Sequence, residues 1–250
     1  MSGTLSDSQS QRISRAELLT ISPPPATATW RPIAHGDLIS AIDRQLLVRG
    51  ITIQKEAFAI QRGGARLFAV LDLSIETSHE FSAAMGIRTA NDRSMALEIA
   101  VGVKVFVCDN LAFSGDLIAL RRKHTTKFDL NADISRAVDR YQTHLLAFNR
   151  QLAELGSRTL EDREAKGVIF EAFRQDILPL RFFPAVAATY FAPTPDMTDV
   201  QPRTWWGLHN AFTRSIRQMA PAPSFQATTR LGTYFGLGAE RGGVFDRFPA

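Results

Sequence analysis

A chain of 250 residues, 45% hydrophobic and 22% charged, can bury a large core without disulfide or metal staples. Its single cysteine, Cys108, excludes an intrachain disulfide and a Cys-rich zinc site, and a net charge of +4 is too small to name a partner. No apolar run approaches the ~20 residues that span a bilayer, and the polar start MSGTLSDSQSQR lacks a signal-peptide core, so a soluble, cytoplasmic protein without membrane contact is expected.

Residues 1–30 read as a flexible lead-in, Ser-rich and then carrying Pro23, Pro24 and Pro25. Order is expected from about residue 31. Asp37 is a good N-cap, Leu38, Ile39, Ile42 and Leu46 share one helical face, and Gly50 is a stop. The period then changes to two. ITIQKEAFAI and LFAVLDLSI flank Arg62-Gly63-Gly64-Ala65 as a β-hairpin. Further strands are expected at Phe81–Ile87 and Leu97–Val107, and a shorter segment near Ala112 after an Asp109-Asn110 turn.

Beyond the strands, Ile134, Val138, Tyr141, Leu145, Phe148, Leu152 and Leu155 form an apolar stripe at steps of four and three. It predicts a long helix, started by Asn131 or Asp133 and stopped by Gly156, which seals either a core or a subunit contact. Thr159 with Asp162 opens a helix that ends before Pro179, and a Pro-rich loop YFAPTPDM follows. Thr204 caps a last helix carrying Trp205, Leu208, Phe212, Ile216 and Met219, which Pro221 and Pro223 end. The expected fold is α+β: a twisted antiparallel sheet packed against helices, with a helical C-terminal half. One domain is expected over 31–235, sheet-rich at 51–120 and helical at 131–220, with a Gly- and aromatic-rich tail at 236–250.

Phosphate-loop, dinucleotide-fold and nucleophile-elbow motifs are absent, and the five histidines are scattered. The densest cationic cluster is Arg121, Arg122, Lys123, His124 and Lys127, followed within reach by the hydroxyls of Thr125 and Thr126. Such a run is either a solvated turn or a phosphate-binding one. Asn91-Asp92 and Asp109-Asn110 read as turns, since both residue types tolerate left-handed backbone. Asn210, Arg214 and Arg217 share a face of the last helix, opposite its apolar side. Arginine outnumbers lysine, 24 to 5; its planar fork suits phosphate, and a GC-rich genome gives the same bias.

NDRSMALEIAVGVKVFVCDNL, then RRKHT, then WWGLHNAFTR resemble, in that order, the phage/plasmid-like proteins grouped as domain of unknown function 932. Asn91, Asp92, Ser94, Cys108, Asn110, His124, Trp206, Asn210, Ala211 and Thr213 carry the resemblance, over roughly 35–235. Asp109 departs from it, where a Thr or Gln is usual. The resemblance implies a mobile-element setting without a defined activity. The expected element order is also similar to that of single-strand annealing recombination proteins.

The function expected is nucleic-acid binding, with single-stranded DNA favoured, annealing as a further step, and homo-oligomers possible. No cofactor, metal or catalytic residue is required. Arg121, Arg122, Lys123, His124 and Lys127 would hold the backbone with Arg88, Asn91, Asn210, Arg214 and Arg217, and Tyr234, Phe235 or Phe245 would stack on bases. The rivals are a metal-assisted phosphodiesterase using Asp92, Asp109 and His124, and a protein-binding module acting against host defence, with an apolar patch in the Pro179–Pro202 region.

Overall fold

Alternating apolar residues and short polar turns make a meander. The computed structural model describes residues 10–78, 81–105, 111–200, 203–237 and 243–244. Among the described residues the sheet has six antiparallel strands, β1 (Gln11–Ile13), β2 (Ile53–Gln61), β3 (Arg66–Ser78), β4 (Phe81–Ala90), β5 (Leu97–Val105) and β6 (Leu111–Arg122), ordered in space as in sequence. The helices are α1 (Arg15–Thr20), α2 (His35–Leu47), α3 (Leu130–Ser157), α4 (Asp162–Arg174), α5 (Phe183–Phe191), α6 (Trp205–Ile216) and α7 (Pro221–Tyr234). The α+β class and the helical C-terminal half are as the sequence implies.

The β2–β3 hairpin turns where the glycines allow it. Gly63 and Gly64 take φ of +60° and +90°, which a side chain rarely adopts. Register then pairs Gln61 with Arg66 and Phe58 with Ala69. The lead-in is more ordered than its composition suggests. Ser14 and Glu17 form a reciprocal capping box that starts α1, Leu18 is fully buried, and β1 pairs with β2 from Gln11–Ile60 to Ile13–Phe58.

The chain divides into two compact units. The first comprises residues 1–75, 83–101 and 118–143, the second 76–82, 102–117 and 144–250. In the first unit, α2 buries Leu38, Ile39, Ile42 and Leu46. Tyr141 is fully buried and donates its hydroxyl to the Ala84 carbonyl at 3.0 Å. Of the predicted stripe, Ile134, Val138 and Tyr141 are buried in this unit, and Leu145, Phe148, Leu152 and Leu155 are buried in the second.

In the second unit α6 is the central element, with every residue from Trp205 to Thr213 buried. Thr204 caps it, accepting from the Gly207 amide at 3.0 Å. Two elements of this unit that were missed in the sequence carry proline in their first turn. Pro184 is the second residue of α5, and α7 starts at Pro221 instead of α6 merely ending there. Proline in a first turn costs nothing because its missing N–H would have no intrahelical partner. Tyr234 donates to the Val168 carbonyl at 2.7 Å and ties α7 to α4. Tyr234 and Phe235 are buried, which corrects their assignment as base-stacking aromatics. Phe245 lies outside the described residues.

Candidate nucleic-acid interface

Three neighbouring strands each send one charged side chain to the same place in the first unit. Arg88 of β4 and Arg121 of β6 both reach Glu98 of β5, each with a guanidinium nitrogen 2.9 Å from Oε2. Glu98 is only 4% exposed, whereas the Arg121 side chain is 62% exposed. A charged residue in the apolar run LEIAVGV was the signal that sequence reading passed over.

The next residue repeats the device. Arg122 lies 3.4 Å and Arg136 2.7 Å from Oδ1 of Asp133, a buried carboxylate in the first turn of α3. Burial pushes Asp133 up, but the hydrogen bond from Arg136, the Asp129 amide, and the charges of Arg122 and Arg136 outweigh it and hold the carboxyl low. Each buried carboxylate is shared by two guanidinium groups, so each trio keeps one positive charge. Exposed Lys123 and Lys127 add two more.

These cations border a surface cavity of about 310 Å³ lined by Arg121, Arg122, Lys123, Thr125, Lys127 and Phe128. Its floor is pinned by backbone. Trp30 and Thr125 form a β-bridge, the Arg31 amide donates to the His124 carbonyl at 3.1 Å, and the Phe128 amide to Thr125 at 3.0 Å.

Two of the expected site residues hold this floor in place and have no surface to offer a ligand. Asn91, 5% exposed, accepts from the Ile33 amide at 3.1 Å and donates to the Ile33 carbonyl at 2.8 Å. His124, 4% exposed, shares a 2.8 Å hydrogen bond with Thr89. Burial, with the neighbouring charge of His35, pushes His124 down to about 4. His35 itself donates Nε2–H to the Gly64 carbonyl at 2.9 Å, and burial lowers it against that bond.

Asn210, Arg214 and Arg217 belong to the second unit. Asn210 is fully buried and donates to the Asp199 carbonyl at 3.0 Å, Arg214 is ion-paired with Asp199, and Arg217 is exposed. Asp92 binds Arg66 at 2.8 Å and caps the turn at Ser94, so its carboxylate is engaged in holding the β4–β5 connection. Cys108, Asp109 and Asn110 lie outside the described residues. Among the described residues no group of three or more His, Cys, Asp or Glu is placed to hold a metal, and no helix is long and apolar enough to cross a membrane.

The model of the family described as Domain of unknown function (DUF932) matches residues 27–233. The chain belongs to this family. Both buried carboxylates, all four exposed cations and the cavity of this DUF932 domain fall inside the matched stretch, whereas β1 and α1 precede it. No curated protein and no solved structure matches the chain.

Proposed function

We propose that this chain is a nucleic-acid-binding protein of a mobile genetic element that holds single-stranded DNA by its backbone and promotes annealing. The observation that carries the reading is the paired arrangement around Glu98 and Asp133. A buried carboxylate shared by two arginines fixes the direction of an exposed guanidinium while leaving net positive charge, and two lysines flank the result. Pre-aimed cations around a cavity are what a phosphate needs, and their planar forks match its oxygens. The motif order shared with phage/plasmid-like proteins supports the mobile-element setting. The element order, with a hairpin and further strands before a long helix, supports the annealing step by analogy alone.

The test is the affinity for a fluorescent strand and its duplex across salt. Four positive charges on a single strand give log affinity a slope near −3 against log salt, so binding weakens roughly 50-fold from about 50 to about 200 mM. Replacing Arg121, Arg122 and Lys123 together by Ala removes three charges and flattens the slope by about 2. Absence of binding to either form at the lowest salt refutes the proposal.

A further inference from the structure

A second cavity of about 390 Å³ adjoins the cationic one and differs from it in chemistry. Thr125 and Phe128 line both, so Phe128 stands between the two cavities. Pro32, Ile33 and Leu130 supply further apolar surface, and its charged lining is two carboxylates, Asp37 and Asp129, against one guanidinium, Arg31, so it is net negative where its neighbour is positive. Those carboxylates repel a phosphate. They accept hydrogen bonds, and flat apolar walls favour a flat ring. The volume is that of a small-molecule site.

The two cavities are joined through hydrogen bonds. Asp129 caps α3, accepting from the Ala132 amide at Oδ1 over 3.0 Å, and its own amide donates to Asp133 at 3.1 Å. Asp133 is the carboxylate that orients Arg122. Asp37 stands in the first turn of α2 and is exposed. Acceptors therefore sit beside donors across one aromatic ring, the order of groups met along a single nucleotide from base to phosphate.

We infer that this cavity receives a nucleobase bearing an exocyclic amino group, cytosine or adenine, stacked on Phe128 with its amine donating to Asp37, the carboxylate that is not engaged in capping α3. The inference rests on the phosphate reading above and adds base selectivity to it. Single-strand recognition commonly stacks an unpaired base on an aromatic ring and reads its edge. A carboxylate accepts from an amine and repels a carbonyl, so thymine, which presents a carbonyl at the same position, is disfavoured.

The experiment compares oligo-dC, oligo-dA, oligo-dT and an abasic strand of equal length on the full chain, each across the same salt series. The amino-bearing strands are expected to bind at least about 5-fold more tightly than oligo-dT, a discrimination at the low end of one good base contact. The abasic strand should bind most weakly. Asp37→Ala should narrow the gap between oligo-dC and oligo-dT. A folded Asp37→Ala that keeps the full gap, or equal affinity for all four strands with a steep salt slope, overturns the base pocket and leaves the phosphate reading standing. No binding to any strand overturns both.

Discussion

Replacing Glu98 by Gln separates the two roles assigned to that residue, because it should move stability and binding in opposite directions. Gln keeps the volume and one acceptor, and removes the charge that Arg88 and Arg121 share at 2.9 Å each. A hydrogen bond to a charged group contributes about 1.5–3 kcal/mol. Arg121 is 62% exposed and turns to water at little cost, whereas Arg88 is 24% exposed and does not. The expected loss is therefore near one such bond, about 2 kcal/mol, or about 4–8 °C in Tm for a chain of this size. Net positive charge at the cavity rises by one at the same time, so the salt slope for single-stranded DNA steepens by about 0.7. Thermal melts and anisotropy titrations on the same preparation read both quantities. A lower Tm with an unchanged or shallower slope would show that Arg121 does not face the bound phosphates.

Acid should destabilise the chain before its carboxylates protonate. His124 sits at about 4 in the folded chain against 6.5 for an ordinary imidazole, so the unfolded chain takes up the proton first as pH falls. Its contribution is complete above about 6.5 and lost progressively down to about 4, amounting to about 3 kcal/mol over that window. His35 and His209, also lowered by burial, act in the same direction, whereas Asp92 and Asp133, held low, lose their contribution only at more acid pH. Melts that do not shift between about pH 7 and about pH 5 would refute this assignment. Gly64→Ala should cost about 1–3 kcal/mol, because φ is +90° and the new Cβ would stand 3.1 Å from Ile21. Gly167→Ala should instead stabilise by about 0.5–1 kcal/mol, since it lies inside α4 with open space around its Cβ; denaturant midpoints for the pair check both signs.

The strands from Ile53 to Val105 and the stripe of α3 were legible because a half-buried element writes its period into the sequence. Gly115 and Asp116 hid the length of β6, since both residue types are depleted in strands. The basic run was legible as a cluster but its architecture was not. Arg121 and Arg122 depend on Glu98 and Asp133, which lie 23 and 11 residues away and read in isolation as an oddity and a helix cap. Asn91 and His124 looked like ligand-facing groups because polarity in sequence does not reveal burial. Both spend that polarity on holding Ile33 and Thr89.

The short N-terminal strand has a consequence for how copies of this domain avoid one another. β1 covers only three residues of β2, yet α1 follows it at once, and Arg15 binds Glu56 of β2 and Asp43 of α2. Together they shield an edge of nine residues whose backbone would otherwise be open to a strand from another chain. Because this shield precedes the family-matched stretch, a domain trimmed to residue 27 keeps its cations and its cavities but gains a sticky margin. Such a fragment would self-associate through β2 at concentrations where the longer chain does not, and any DNA affinity measured on it would be confounded by its own aggregation.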